Sequence, residues 1–320
     1  MDISVVIPVL NESQSLGELS DRLHAAFAAW DNKADYEIIF VDDGSTDNSR
    51  AVITDLCLKN TNIRCVFLRQ NFGKSSALNA GFQHAAGELI ITMDGDLEDR
   101  PEEMHKLITR LNEGFDCVSG WKQYRADGQV RRIGSFVFNL LASRSFGLSL
   151  HDINCGFKIY RQKVVKDLVI YGQYHRFIPV LVQNMGYKVS EIQINTGRRK
   201  FGGSRFPSFR FEAFFDLISL LFIFRFQFTP LYFFGTLSLC FILPSAAVLG
   251  NAVVMLTLWY LNLLEKPVIT FDRPLLALST VALLTGVNIL LAGLVCDFIL
   301  HHQRKQTVQE RLTTIIAEII

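Results

Sequence analysis

From Phe226 to Leu264 the chain carries no charged side chain, and a second uncharged run extends from Pro274 to Cys296. Each is longer than the roughly 20 apolar residues an α-helix needs to cross a bilayer. In lipid a backbone amide finds no water, so such a run must satisfy its own hydrogen bonds as a helix. The first span is placed near Leu231 to Val254 and the second within Pro274 to Cys296, with the turn-rich stretches Leu263 to Pro267 and Asp272 to Pro274 between them. A helical hairpin in a soluble core would carry the same hydrophobicity, but the lengths favour two spans. Cations from Arg198 to Arg225 precede the first run, and Arg304, Lys305 and Arg311 follow the second. By the positive-inside tendency both flanks are cytoplasmic. Phe209 to Phe228 is rich in Phe, Leu and Ile yet holds Arg210, Glu212, Asp216 and Arg225. It reads as a helix lying in the membrane interface, with a buried core helix as the alternative.

The preceding two thirds have a different rhythm. Val5 to Val9 and Glu37 to Val41 are short, β-branched and almost continuously apolar, as strands buried on both faces of a parallel sheet are. Between them Leu16, Leu19, Leu23, Ala26 and Phe27 recur at helical spacing. Helix patterns at 49–58, 75–86 and 101–112 alternate with strand patterns at 63–68, 89–93 and 116–120. That order predicts a doubly wound α/β domain. Region 121–206 is less regular, with a helix candidate at Ile133 to Ser145. The expected layout is a cytosolic catalytic domain over 1–206, an interfacial helix over 207–228, a two-span hairpin over 229–300 and a cytosolic tail over 301–320. Met1-Asp2-Ile3-Ser4 runs straight into the first strand without a basic leader, so a cytosolic head on the inner (plasma) membrane is expected, multi-pass, with both termini cytoplasmic. The six cysteines have no C-x-x-C spacing and read as reduced thiols, without disulfide or zinc.

Two acidic loops close predicted strands. Asp94-Gly95-Asp96 follows the apolar Ile90 to Met93, and Asp42-Asp43-Gly44-Ser45-Thr46-Asp47 follows Val41. Ligands of open α/β sheets bind at the carboxyl edge of the strands, and hard divalent cations take carboxylate oxygens. Helix capping by Thr46 or Asp47 explains the second loop on its own, but two such loops on neighbouring strands point to a phosphorylated ligand with a metal. The chain has no G-x-G-x-x-G after its first strand and no G-x-x-x-x-G-K-[ST], which removes the dinucleotide and P-loop readings. A net charge of +1 conceals acidic motifs before residue 120 and a basic cluster at Arg198, Arg199, Lys200 and Arg205. No nucleic-acid partner is expected.

Pro8-Val9-Leu10-Asn11-Glu12, the loop from Val41 to Asp47, Asn71-Phe72-Gly73-Lys74, Asn79-Ala80-Gly81 and Met93 to Asp96 together resemble the family 2 glycosyltransferases of GT-A fold. Asp152-Ile153-Asn154-Cys155-Gly156-Phe157-Lys158, Arg199 to Phe206 and the hairpin resemble their polyprenyl-phosphate branch, the bactoprenol glucosyltransferases and dolichol-phosphate mannose synthases. The resemblance implies a GT-A domain with a mainly parallel sheet. It also implies a nucleotide-sugar site at Pro8, Asn11, Glu12, Asp42, Asp43, Lys74 and Asp94, with Asp43 and Asp42 toward the base. Asp94 and Asp96 would hold Mg²⁺ or Mn²⁺, Asp96 and Asp152 would be the catalytic carboxylates, and Arg199 and Arg205 would bind the lipid phosphate. Three positions depart from the pattern: Glu98 stands where the branch has Gln, Thr196 where it has His, and Arg205 where it has Lys, the last keeping the charge.

The implied reaction transfers one sugar, first glucose from UDP-glucose, to a polyprenyl phosphate such as undecaprenyl phosphate, with inversion. GDP-mannose is the second donor. A homo-oligomer is expected of such a hairpin. The rival from another class is a non-catalytic nucleotide-sugar-binding scaffold or flippase partner, and retention of both Asp94 and Asp96 argues against it. A second phosphate pKa of about 6 leaves the acceptor oxygen largely deprotonated near neutrality, so Asp152 is expected to position substrate more than to remove a proton.

Overall fold

A computed structural model describes residues 1–30, 34–122, 146–148, 150–197, 211–226, 229–263 and 273–319. They form two compact units, Met1–Leu221 and Phe222–Ile320.

The first unit is built on a seven-stranded sheet: β1 (Ile3–Val9), β2 (Tyr36–Asp42), β3 (Ile63–Phe67), β4 (Leu89–Thr92), β5 (Cys117–Lys122), β6 (Lys158–Arg161) and β7 (Val189–Ile194). Their spatial order is β3-β2-β1-β4-β6-β5-β7. All neighbours pair in parallel except β6, which runs antiparallel to both β4 and β5. The α/β expectation therefore holds, with one reversed strand in the region where periodicity gave no layout. The helices of this unit are α1 (Leu16–Ala28), α2 (Ser49–Lys59), α3 (Lys74–His84), α4 (Met104–Asn112), α5 (Gln162–Asp167) and α6 (Ile178–Asn184).

The apolar spacing in α1 faces the core as the sequence implies: Leu16, Leu19, Leu23, Ala26 and Phe27 are all buried. They pack on the face of the sheet formed by Val5, Ile7, Ile38, Phe40, Ile91, Val118 and Ile159, together with Met104, Leu107 and Leu111 of α4. At the opposite edge from the acidic loops, buried Glu37 accepts from Ser4 Oγ at 2.6 Å, from the Ala86 amide at 2.7 Å and from Arg64 Nη1 at 2.9 Å. Burial opposes ionisation there, but these donors and the Arg64 charge hold its pKa below the usual glutamate value.

The division between the units falls inside α7 (Phe211–Phe226). In the second unit α8 (Pro230–Tyr260) and α9 (Arg273–Ile319) make an antiparallel hairpin. Gly286 of α9 lies against Ile242 and Ser238 of α8, and Gly293 lies against Phe234 and Leu231. Small residues at these crossings let the two backbones approach. Phe222, Phe226, Phe233 and Phe234 form an aromatic cluster at the start of the hairpin. Over Pro230–Tyr260 and Pro274–Leu300 the helices are long and apolar enough to cross a membrane, and their side chains are almost all outside any protein core. Outward-facing Leu243, Val253, Leu284 and Phe298 suit hydrocarbon, not water. The helix α9 continues without a break past residue 300 to Ile319.

Candidate active site

The strand order reverses direction of growth at β1, whose neighbours are β2 and β4. Loops leaving the carboxyl ends of these three strands therefore open a crevice, the usual ligand position in such sheets. They are the loops singled out from the sequence: Leu10 to Ser15 after β1, Asp43 to Asn48 after β2, and Met93 to Asp99 after β4.

The first two loops are stitched together by side-chain-to-backbone bonds. Asn11, at φ 52°, accepts the Thr46 and Asp47 amides on Oδ1 at 2.7 and 3.2 Å, while its own amide donates to Ser45 Oγ at 2.9 Å. The Glu12 amide donates to Ser49 Oγ, and Asp47 receives the amides of Ser13 and Ser49. These bonds hold the Asp47 pKa down to about 2 against its partial burial. The N-cap of α2 is Asn48, without a side-chain capping bond, so Asp47 does not cap the helix as expected but closes the turn just before it. Asp42 and Asp43 are both buried. Asp42 Oδ1 accepts the Ser45 amide, and the two oxygens of Asp43 accept the amides of Phe72 and Gly73 at 2.8 and 2.9 Å. Burial still pushes the Asp43 pKa above the ordinary value, opposed by those amides. Gly44, at φ 71°, allows the close approach, since a Cβ there would stand 2.5 Å from the Gln70 carbonyl carbon. The pair thus anchors the loop that delivers Lys74 to the start of α3.

Lys74 ion-pairs with Asp94. Burial works against the Asp94 charge, but Lys74, Lys122 and Lys158 hold its pKa well below the carboxylate range. Its backbone amide donates to Asp99 Oδ2 at 3.0 Å, and Lys122 Nζ lies 2.6 Å from Asp99 Oδ1. Asp96 Oδ1 receives the Glu98 amide at 3.1 Å. Burial, then the Asp94 and Glu98 carboxylates, push Asp96 up to about 6. The loop is clamped to β1 through Ser15 Oγ, which donates to the Gly95 carbonyl at 2.6 Å, and Pro8 and Glu12 border Gly95. Asp96, buried and crowded by Asp94 and Glu98 until it resists ionisation, is a carboxylate that a divalent cation would relieve. Two protein carboxylates, completed by phosphate and water oxygens, suit Mg²⁺. Among the described residues there is no group of three or more His, Cys, Asp or Glu side chains arranged for a metal.

Asp152 reaches the same edge from the far side, and it is 4% exposed. Glu191 of β7 fixes its approach by accepting the His151 amide at 2.7 Å and the Asp152 amide at 3.4 Å. The His151 ring stacks on Trp121, centroids 4.3 Å apart. Gly156 is the second glycine that the site requires, since a Cβ would stand 2.7 Å from Asp94 Oδ2. Thr196 bridges Asp99, and the Gly197 amide donates to the Glu98 carbonyl at 2.8 Å, so the chain entering the basic cluster is tied to the loop that carries Asp94 and Asp96. Arg199 and Arg205 themselves, and the helix candidate at 133–145, lie outside the described residues.

Pro8, Asn11, Glu12, Asp42, Asp43, Lys74, Asp94 and Asp96 thus lie at the same edge of the sheet, and Asp152 lies on the connection that enters β6 at that edge. Sequence reading missed several of their supports. His175 pairs with Ser75 Oγ at 3.1 Å, and burial with the neighbouring Lys74 and Arg176 charges lowers its pKa to about 3. Lys122, Asp99 and Glu191 carry no local spacing signal, because each acquires its partner only when segments far apart in sequence meet.

The sequence model described as "Glycosyl transferase family 2" matches residues 4–169. The chain is 35% identical over 311 residues to the dodecaprenyl-phosphate galacturonate synthase of Rhizobium johnstonii, covering 93% of this chain and 88% of that protein. It is 36% identical over 221 residues to the undecaprenyl-phosphate 4-deoxy-4-formamido-L-arabinose transferase of Klebsiella pneumoniae, covering 68% and 67%. The crystal structure of glucosyl-3-phosphoglycerate synthase from Mycobacterium tuberculosis in complex with Mg²⁺ and UDP superposes with a TM-score of 0.50 at 20% identity, covering 63% of this chain and 72% of that one. That likeness shows the fold, a GT-A-like α/β arrangement.

Proposed function

The chain belongs to glycosyl transferase family 2, and from that premise we propose that it moves one sugar from a nucleotide donor to the phosphate of a membrane polyprenol. The observation that supports this most is the sharing of one loop. Asp94 and Asp96 stand at the switch point of the sheet, and the root of the basic segment is fastened to the same loop at Asp99 and Glu98. A diphosphate bound at one end and a phosphate recruited at the other would meet there. The two relatives with polyprenyl-phosphate names support the acceptor class, and the apolar hairpin supports a site at a membrane surface.

In this reading Asp94 and Asp96 hold Mg²⁺ or Mn²⁺, which when bound neutralises charge on the leaving diphosphate. Lys74 keeps Asp94 ionised for that task. A phosphate oxygen of the acceptor attacks the anomeric carbon from the face opposite the leaving group. The new carbon–oxygen bond forms as the bond to the nucleoside diphosphate breaks, which inverts configuration. The attacking oxygen is already largely deprotonated near neutrality, so Asp152 orients sugar or acceptor, and Glu191 holds Asp152 in place. Arg199 and Arg205 bind the lipid phosphate through paired guanidinium bonds.

The donor is UDP-glucose in the expectation from sequence. The relatives are named for galacturonate and a formamido-arabinose, so UDP-galacturonate and GDP-mannose belong in the same screen. The test is passage of labelled sugar into the organic phase with undecaprenyl phosphate and Mg²⁺ or Mn²⁺. We expect label from one donor, abolished by chelator and by Asp96→Ala. Absence of label from every donor would overturn the catalytic reading in favour of a binding-only head.

A further inference from the structure

Three lysines surround the Asp94 loop, and two have a carboxylate of their own. Lys74 is paired with Asp94, and Lys122 is paired with Asp99. Lys158 is only 2% exposed, and among the described residues no hydrogen bond or ion pair ends on its ammonium. An ammonium taken out of water without a partner costs several kcal/mol, by order of magnitude. A ligand that supplies the missing charge would account for retaining it.

The fold puts this group at the site. Lys158 is the first residue of β6, in register with Thr92 of β4 and Ser119 of β5. Thr92 precedes Asp94 by two residues, and Gly156, two before Lys158, abuts the Asp94 carboxylate. The Ser119 hydroxyl, one strand away, is likewise buried without a hydrogen-bond partner. Two orphaned donors therefore stand in neighbouring register positions beneath the crevice. Two carboxylates, Asp94 and Asp152, act on Lys158 through space without an ion pair or hydrogen bond to it, and Asp94 is already paired with Lys74. Burial pushes the thiols of Cys155 and Cys117 up to about 12, which leaves them uncharged. Lys74 is a like charge whose influence on Lys158 exceeds that of Asp152.

We propose that Lys158, with Ser119, is a phosphate-binding subsite of the crevice, receiving a non-bridging phosphate oxygen of a substrate. Diphosphate of the donor and phosphomonoester of the acceptor present the same chemistry. The assignment rests on the glycosyl-transfer reading above.

The experiment uses the full-length protein in detergent. Thermal unfolding of wild type, Lys158→Met and Lys158→Arg is followed alone, with UDP and Mg²⁺, and with farnesyl phosphate, each shift being referred to the same variant without ligand. Transfer activity is assayed in parallel. Lys158→Met is expected to weaken one of the two ligands by roughly 10- to 100-fold, the range for a hydrogen bond to a charged group. Lys158→Arg should retain part of that affinity. Loss of the UDP shift identifies the donor diphosphate as the source, and loss of the farnesyl phosphate shift identifies the acceptor. If Lys158→Met keeps both shifts while wild type responds and transfers sugar, the assignment fails and the glycosyl-transfer reading stands. Losses confined to turnover of a uronate donor, with both shifts intact, would also overturn it, in favour of contact with a sugar carboxylate. A wild type that responds to neither ligand and transfers nothing would sink both.

Discussion

Replacing Lys122 by Met tests whether the site is held up by the buried pair behind it. Lys122 Nζ lies 2.6 Å from Asp99 Oδ1, with the two side chains 8% and 0% exposed. Burial lowers the Lys122 pKa, but the Asp99 charge more than offsets this and holds it above the ordinary lysine value. At that distance and an effective dielectric of about 20 the attraction is roughly 6 kcal/mol. Desolvation of both groups offsets most of it, yet removing one partner strands the other, at a cost of about 3–5 kcal/mol. A unit the size of Met1–Leu221 melts roughly 2–4 °C lower for each kcal/mol lost, so a fall of about 10 °C is expected. Thermal unfolding of the detergent-solubilised protein gives the number. The double variant Lys122→Met/Asp99→Asn removes the stranded charge while leaving an amide oxygen for the Asp94 amide, and it should recover most of the loss. A fall of less than about 2 °C in the single variant, below the change expected for 1 kcal/mol, would refute the reasoning. So would a double variant no more stable than the single.

Other predictions follow the same logic. Asp96→Ala is expected to lower sugar transfer by roughly 10²- to 10³-fold, as loss of a transition-state charge stabiliser does, and a metal requirement unchanged from wild type in the variant would count against its role as a ligand. Gly156→Ala places a methyl carbon 2.7 Å from Asp94 Oδ2; kcat/KM should fall with little change in melting temperature, and wild-type kinetics would show that Asp94 moves freely. Glu37 has a folded pKa below its unfolded value, so its contribution to stability is present above about pH 4.5 and is lost as pH falls through the lower folded value. Unfolding of Glu37→Gln at a series of pH values should show a deficit at pH 7 that shrinks toward acid, and a deficit independent of pH would exclude this source.

Much of the fold was legible because its signals are local. The β-branched runs of β1 and β2 and the spacing of Leu16, Leu19 and Leu23 depend on burial along one element, and the structure places them so. The acidic loops were legible for a similar reason, since a strand ending at Asp42 or just before Asp94 sends its next residues to the ligand edge. What sequence concealed was pairing across distance. The β6 segment, Lys158-Ile-Tyr-Arg, alternates charge with apolar bulk and is too short to announce a strand; its direction follows from two neighbours on either side. Asp42 and Asp43 read as ligand groups, and the sequence did not announce that Asp42 Oδ1 and both Asp43 oxygens also accept the backbone amides of Ser45, Phe72 and Gly73, leaving Asp42 Oδ2 without a hydrogen bond. His175 finds Ser75 across 100 residues of chain, a distance that no periodicity spans.

The reversal of β6 also decides which part of the chain is free to vary. A parallel strand enters a sheet at the rear and reaches the ligand side only with its last residues. Because β6 runs the other way, the chain leaves β5 at Lys122 and re-enters at Lys158 on the same side, at the ligand edge of the sheet. The connection between them therefore begins and ends at the ligand edge without having to travel around the sheet. Residues of this connection other than Asp152 and Gly156 can therefore change with no strand displaced, while Asp94, Asp96 and Lys158 keep their places.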